Sequence, residues 1–575
     1  MPRANEVVEA LLEEYADLLS ISGGDPFRVR TYEKAARSVG GYHADLATLD
    51  DKGILAIPAV GKSIVGKVRQ ALETGTFERL EELRKQVPAG VRDMISIPML
   101  GPKKALMLYR EMKIASVQEL ADAIHAGLLA GMKGFGPKTE ENILRGISLM
   151  QQSGERVQIG VGMELAEEIL GELSALRGCR KCAYAGSLRR MRETIGDIDI
   201  LVASEDAGPV MEAFVNLAIV ERIVARGETK TSIRSTMGLQ VDLRVITPEV
   251  WGAALQYFTG SKAHNIRTRE MAVRKGLKLS EYGLFEAASG NLIVAETEEE
   301  VYAQLGLPWI PPTLREDRGE IDAALRGELP TLVERKNLRG DLHTHTNLTD
   351  GLASLEQMLE TAAGLKYRYY AVTDHAPNLY MQRMTDEKML TQRRQVRKLQ
   401  SRYPKMTLLH GTELNIDPAG DVDWGPHFLE GFDVCVASVH SEFNQPQDQM
   451  TRRIIRACEN PYVNIIGHPT ARLIGRRAPI EFDLDAVFEA AARTGTALEV
   501  NSFPDRLDLR DEHVMWARRH GVKFAVDTDS HSTVHLPFMR YGVGTAQRGW
   551  LERDDVINTW PLDKLRRFLR KGRPA

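Results

Sequence analysis

Seven short apolar runs occupy the last two-fifths of the chain, and six of them end in or beside His, Asp or Glu. They are LRGDLHTH (338–345), YYAVTDH (369–375), MTLLHGTEL (406–414), FDVCVASVH (432–440), YVNIIGH (462–468), TALEVNS (496–502) and VKFAVDTDSH (522–531). Helix-like stretches separate them. Strands that alternate with helices build a parallel sheet, and seven in succession predict a (β/α)7-type barrel over 338–575. Barrels of this kind keep their chemistry at the C-terminal ends of the strands. His343, His345, His375, Glu413, His440, His468, Asp529 and His531 all fall there, and Asp350 in TNLTDG can fold back onto the same mouth.

Nine such groups cannot converge cheaply without a cation, because the carboxylates repel and the imidazoles lose water. Imidazole mixed with carboxylate suits Zn²⁺, Mn²⁺ or Fe²⁺. Nine ligands exceed what one ion needs, so two or three ions are expected, with Glu413 as a bridge. The same demand explains why 11 of the 14 histidines follow residue 337.

A second metal-binding pattern lies upstream, in YAGSLRRMRETIGDIDIL (184–201). Asp197 and Asp199 alternate with Ile198 and Ile200, which puts both carboxylates on one face of a strand. Asp242, in LQVDLRVI, is a third strand carboxylate with apolar neighbours. Clustered aspartate oxygens are hard ligands for Mg²⁺ or Mn²⁺. Two such ions clamp the attacking and leaving oxygens of a phosphoryl displacement. Gly186 and Ser187 end a predicted strand at a turn, and Arg189 and Arg190 follow, so a triphosphate cradle beside the metal site is expected.

The first 150 residues read as helices with short turns and contain a repeat. IPAVGKSIVGKV (57–68), IPMLGPKKALML (97–108) and MKGFGPKTEENIL (132–144) each place a glycine, Gly61, Gly101 or Gly136, before a helix. Glycine is expected to provide a positive φ in a tight helical hairpin. The bare N–H groups of the following helix then hold a backbone phosphate, with Lys62, Lys103 and Lys138 nearby. Gly61-Lys62-Ser63 ends like a P-loop, but Ala56 stands where that motif needs glycine.

Composition sets the remaining bounds. A net charge of −4, from 75 basic and 79 acidic residues, excludes blanket attraction to a polyanion and leaves focused contacts. No apolar run approaches the ~18 residues of a membrane span. The N-terminal stretch is acidic and amphipathic, unlike a signal peptide. Four cysteines in 575 residues form no disulfide framework, and a reducing cytoplasm is expected. Cys179-x-x-Cys182 has no second pair and reads as structural.

The pattern G-S-x-R-R…G-D-I-D resembles a nucleotidyltransferase palm. YFTGSKAHNIRTRE (257–270) looks like the nucleotide-binding stretch of the family X DNA polymerases. With the helical repeats, residues 1–315 resemble that family along its whole length. The resemblance implies metal-ligand and catalytic roles for Asp197, Asp199 and Asp242. It implies triphosphate contacts for Gly186, Ser187, Arg190 and Gly196, and a wall beside the deoxyribose from Tyr257, Phe258 and Gly260. Asn265 and Arg269 match positions near the nascent base pair and template, and His264 is expected as a hydrogen-bond donor nearby. Lys67 falls where some members carry a Schiff-base lysine for removal of 5′-deoxyribose phosphate. A second lysine near it in those members is Ser63 here, and Lys67 reads equally as a phosphate contact.

The set HTH…D…TDH…E…H…GHP…DTDSH resembles the PHP (polymerase and histidinol phosphatase) family over 338–575, with all nine ligand positions filled. That resemblance implies a metal-dependent phosphoesterase, with 3′→5′ exonuclease and abasic-site endonuclease activities. Arg506, in NSFPDRLD, reads as a phosphate contact or a salt bridge. The combined match is to bacterial family X polymerases with a fused PHP domain. It implies a helix-hairpin-helix lyase-like domain (1–90), fingers with two further hairpins (91–150), palm (151–250), thumb (251–315), linker (316–337) and barrel (338–575). The implied partners are gapped or primer–template DNA and dNTPs, with a monomeric protein and no membrane. Rival readings are a barrel that acts on other phosphoesters, such as small monoesters, or one that is mainly structural.

Overall fold

The structure, a computed structural model, describes residues 4–571 except 41, 43, 88, 96, 98, 99, 130, 131, 133, 134, 137, 138, 141, 142, 145, 146, 148–155, 380, 381 and 383. The N-terminal region is helical: α1 (Ala4–Ile21), α2 (Pro26–Gly40), α3 (Asp51–Leu55), α4 (Lys62–Thr74), α5 (Glu78–Gln86), α6 (Ala89–Ile95), α7 (Pro102–Met112) and α8 (Val117–His125). Val8, Leu12 and Tyr15 recur at helical spacing and are buried, so α1 presents one apolar face to the bundle. Asn5 locks the turn after α2, with its amide donating to the carbonyls of Val39, Tyr42 and Ala44.

In the middle region β1 (Val157–Gln158) pairs with β3 (Thr194–Ile195). A five-stranded sheet is built from β2 (Lys181–Tyr184), β4 (Asp197–Ala203), β5 (Val220–Arg226), β6 (Lys230–Ser235) and β7 (Gln240–Ile246), in the order β2-β4-β7-β6-β5. Strands β4 and β7 run parallel; the other neighbours are antiparallel. Ile198, Ile200 and Val202 join a core with helices Ile159–Ser174 and Ala207–Val215. Next come helices Trp251–Thr259 and Lys262–Arg274. They precede a small antiparallel sheet of β8 (Leu277–Ser280), β9 (Gly283–Glu286) and β10 (Leu292–Val294).

The last region holds seven parallel strands in sequence order: β11 (Gly340–Asp341), β12 (Tyr369–Val372), β13 (Thr407–Asn415), β14 (Val434–Ser438), β15 (Ile465–Ile466), β16 (Ala497–Asn501) and β17 (Phe524–Asp527). A bridge between Thr344 and Ser530 brings the first and last strands together, so the barrel is nearly closed. Its interior is an apolar plug built from Leu342, just past β11, and from the other six strands, including Ala371, Leu409, Val436, Ile465, Ala497 and Ala525. Helix Leu562–Leu569 seals one end with Leu565 and Leu569.

The stretch 316–337, expected as a linker, is not a free tether. It contains a helix, Glu320–Arg326, whose Ile321 and Ala324 are buried in one core with Val301, Tyr302 and Trp550. Buried apolar area turns the connection into part of the packed body. The barrel also packs directly on the five-stranded region: Leu507 and Tyr541 belong to the core beneath β4.

Candidate active sites

The parallel pairing of β4 with β7 sets Asp199 opposite Asp242, while Asp197 opens the same strand face and is exposed. Burial raises the Asp199 pKa to about 7, and the charges of Asp197 and Asp242 push the same way. Burial also works to raise Asp242, but hydrogen bonds from Lys230, Gln240 and Ser232 outweigh it and hold this carboxyl low. The Lys230 ammonium lies 2.8 Å from Asp242. A buried carboxyl whose proton affinity is raised by two neighbouring carboxylates belongs to a donor set that a divalent cation relieves.

Gly186 begins a one-turn helix, Gly186–Arg189, with Ser187 beside it. Its φ is +58°, and a Cβ there would lie 2.3 Å from an Asp199 carboxylate oxygen. Glycine therefore brings the turn against the carboxylates. Gly196 is closed in by Arg156, 2.9 Å from where its Cβ would be.

The two arginines of the expected cradle are committed elsewhere. Arg189 forks onto Glu298 at 2.8 and 2.9 Å. Arg190 donates to Glu316 at 3.0 Å and to the Thr259 carbonyl at 2.8 Å. In this structure both fasten the sheet to the following helices, because buried carboxylates from later in the chain reach them first. Nothing local to Arg189 and Arg190 pointed to those partners, which lie more than a hundred residues on.

Phe258 packs with Ala185, Leu201 and Ala254 behind the Gly186 turn and meets the Tyr257 ring edge-on at 5.1 Å. Asn265 donates to the Tyr257 carbonyl at 2.6 Å and accepts from Gln256 at 3.1 Å. A Cβ at Gly260 would lie 2.6 Å from the Asn265 oxygen, so glycine admits that contact. Arg269 lies over the Tyr257 ring at 5.9 Å. His264, expected as a donor near the nucleotide, is fully buried between Glu320 and Tyr302 at 2.7 and 2.8 Å and is a core joint.

The hairpin glycines also differ from expectation. Gly61 and Gly101 are extended N-cap residues with φ of −91° and −72°, and Ala59 carries the positive φ of the first turn. A Cβ at Gly61, Gly101 or Gly136 would meet nothing within 4 Å. What these glycines offer is an open, exposed backbone at the start of a helix, where an anion can approach. Lys62 is exposed on the same turn. The Lys103 side chain and Lys138 lie outside the described residues. Lys67 donates to the Ser63 hydroxyl at 3.0 Å and sits 5.3 Å over the Tyr32 ring.

At the barrel mouth all nine expected ligands converge. Glu413 is central: one oxygen lies 3.0 Å from His375 and 3.5 Å from both His343 and His345. Its other oxygen faces His440 at 3.1 Å and His468 at 3.0 Å. Asp529 lies 3.2 Å from His345 and 3.6 Å from His343. Asp350 lies 3.2 Å from His375 and 3.5 Å from His531. Ligand atoms fall within 4.8 Å of one another in three groups: His345, Asp350, His375 and His531; His343, His345 and Asp529; His375, Glu413 and His440.

Electrostatics and polar satisfaction both show that this donor set fits cations. Burial lowers the His345 and His468 pKa values, to about 3 for His468. Burial also opposes charge on His531, yet Asp350 and Asp529 lift it to about 9. His345 Nδ1 and His468 Nδ1 are buried without a hydrogen-bond partner. Opposed shifts and orphaned nitrogens in one cluster are what bound metal ions would resolve. His468 and Asp529 have φ of 26° and 51°, a strained backbone of the sort held at functional sites.

Sequence reasoning missed the residues behind the ligands. Glu499 of β16, fully buried, sits 2.7 Å from His343 Nδ1 and accepts the His468 backbone N–H. Asn415 sits 2.7 Å from His440 Nδ1, Asn501 donates to Asp529, and Gln382 donates to Asp350. The signal for Glu499 was present: it is the one charged residue in TALEVNS, set between Leu498 and Val500. Arg506 lies 3.7 Å from Asp529, with one terminal nitrogen buried and unpartnered. Cys179 and Cys182 are free thiols; burial, with the neighbouring Cys179, raises Cys182 to about 12.

Family models match four stretches: a helix-hairpin-helix domain at 3–77, a SAM-like helix-hairpin-helix tandem at 91–148, a DNA polymerase beta thumb at 254–316 and a PHP domain at 341–502. A Bacillus subtilis protein named DNA polymerase/3′-5′ exonuclease PolX is 36% identical over 98% of both chains. Rattus norvegicus DNA polymerase lambda is 24% identical over 51% of this chain and 53% of its own. A Thermoanaerobacter protein named a probable phosphatase is 28% identical over 40% of this chain and 94% of its own. Near-complete coverage by the first of these places the whole chain in one family: it belongs to the bacterial family X DNA polymerases that carry a C-terminal PHP domain.

Proposed function

We propose that the protein is a DNA-directed DNA polymerase that fills short gaps in base-excision or break repair, with a 3′→5′ exonuclease in its barrel. The observation that carries the first half is the facing pair Asp199 and Asp242 beside the Gly186 turn. The divisions of the chain, with 316–337 packed rather than free, and the site roles given above, apart from those of Arg190 and His264, are part of the proposal. When bound, Mg²⁺ or Mn²⁺ at Asp197, Asp199 and Asp242, and two or three Zn²⁺, Mn²⁺ or Fe²⁺ ions at the barrel mouth, supply charge for phosphoester displacement. Around them the chain positions the reactants. Ser187 and the Gly186 backbone face the triphosphate of a dNTP, and Tyr257, Phe258 and Gly260 line its sugar. The open hairpins at Gly61, Gly101 and Gly136 grip phosphates of gapped or primer–template DNA without reading sequence. The protein acts as a monomer in the bacterial cytoplasm; among the described residues no helix is long and apolar enough to cross a membrane.

Asp242→Ala is expected to abolish primer extension on gapped DNA while the barrel still cleaves 3′ ends. His343→Ala/His345→Ala is expected to do the reverse. Extension that survives Asp242→Ala, or metal-dependent cleavage undiminished by the double substitution, overturns the corresponding half. The phosphatase-named relative favours a second reading, in which the barrel acts on 3′-phosphates or small monoesters. Turnover of a 3′-recessed duplex against a small phosphate monoester separates the two. Abasic-site cleavage belongs to the same barrel under the first reading.

A further inference from the structure

The loops after two of the candidate ligands carry one arginine that, among the described residues, pairs with no carboxylate. Arg477 ends a tight hairpin after the ligand His468: Leu473 and Arg477 exchange backbone hydrogen bonds at 2.9 and 2.8 Å. Its Nε donates to the Ala471 carbonyl at 2.6 Å. Its guanidinium lies 4.3 Å over the ring of Phe443, three residues past the ligand His440. Carbonyl and ring together fix the plane of the fork, since guanidinium stacks on an aromatic face.

Neighbouring arginines are already answered. Arg472 meets Glu193 at 2.6 Å, and Arg476 lies 3.8 Å from Glu13. Among the described residues Arg477 forms no ion pair. The hairpin is joined to the next loop by the Ile474 N–H, which donates to the Asp505 carbonyl at 2.6 Å. That loop carries Arg506, 3.7 Å from Asp529. Two guanidinium groups thus stand on linked loops at the metal centre, one at the ligands and one farther along the rim. Burial, and then the charge of Arg506, pushes the Arg477 pKa down to about 10, which reports the closeness of the two cations. The carboxylates of Asp505 and Asp508 act against that repulsion, yet neither pairs with Arg477, whose fork is left for an anion.

We infer that Arg477, its plane set by Phe443, binds the phosphate next to the one being cleaved, so the barrel selects a polynucleotide end over an isolated phosphate ester. This rests on the nuclease reading and names its substrate specificity. A monoester offers a single phosphate to the metals and Arg506; a DNA strand offers a second to Arg477, one linkage along.

The test is a cycle on a short single strand whose second linkage from the 3′ end is either natural or an uncharged methylphosphonate. KM and kcat for release of the terminal nucleotide are read with wild-type protein, Arg477→Ala and Phe443→Ala. In the wild type, neutralising the second linkage is expected to raise KM about tenfold with kcat little changed, the loss of one charge-assisted contact. In Arg477→Ala the natural strand already shows that KM, and the methylphosphonate adds no further penalty; Phe443→Ala gives a smaller penalty. A full penalty that persists in Arg477→Ala overturns the subsite while the nuclease reading stands. A fall in kcat on both strands with the penalty intact assigns Arg477 a structural role and also overturns it. A wild type that cleaves neither strand overturns the nuclease reading and this subsite with it.

Discussion

At the scale of single residues, the groups behind the barrel ligands decide how those ligands work. His343 faces Glu413 and Asp529 through Nε2, because Nδ1 is held by Glu499 at 2.7 Å. Glu499 also fixes His468 through its backbone, so one carboxylate orients two ligands. Outer-shell partners of this kind contribute about 10–100-fold in metal affinity. Glu499→Gln is therefore expected to lower metal retention by about that factor. Metal analysis after graded chelator competition checks it, with circular dichroism to verify folding. Retention equal to wild type removes the positioning role. Glu499 was legible only as an anomaly, a charge set between Leu498 and Val500. Eight of the nine candidate ligands were legible because they sit at strand ends, a position defined by local pattern; Asp350 comes from the loop that follows the first of them. Gly186 shows the limit at this scale. Its sequence suggested a phosphate approach, but its contact with Asp199, thirteen residues on, depends on how a helical turn meets a strand.

At the scale of elements, strands and hairpins followed from periodicity, and their joints did not. Helix Glu298–Gln304 begins with Glu298, which binds Arg189, Arg315 and the Trp309 indole. Burial alone would raise its pKa; Arg315 and Arg189 outweigh that and hold it at about 2. A carboxyl depressed in the folded state adds stability above its ordinary pKa, and this is lost as pH falls toward the folded value. The window runs from 4.5 down to about 2, and the contribution is on the order of 3 kcal/mol. Urea midpoints at pH 6 and pH 3 are expected to differ more in the wild type than in Glu298→Gln. Equal pH dependence of the two proteins refutes the assignment. The segment 316–337 failed as a linker for a related reason: its short helix carries its apolar residues toward a partner core that the local sequence does not display.

At the scale of the whole molecule, one buried arginine ties the two catalytic halves. Arg548 is 3% exposed and binds Asp511 of the barrel, Glu316 of the connecting segment and the Arg190 carbonyl. Removing one partner from such a network strands buried charge and costs about 3–5 kcal/mol. Arg548→Met is expected to split thermal unfolding into two calorimetric transitions, the earlier one below the wild-type Tm. A single transition at the wild-type Tm rules the network out as the coupling element. By itself the sequence determined the barrel, the aspartate face of β4 and the groups that converge at the two centres, because those depend on alternation and on strand ends, which are local. Only the tertiary structure decided that Arg189 and Arg190 bind carboxylates rather than stand free, that His264 is buried, that Glu499 backs the candidate ligands and that Arg477 forms no ion pair among the described residues. Each of these depends on a partner tens or hundreds of residues away, and the energy of a charge is set by what surrounds it once the chain has folded.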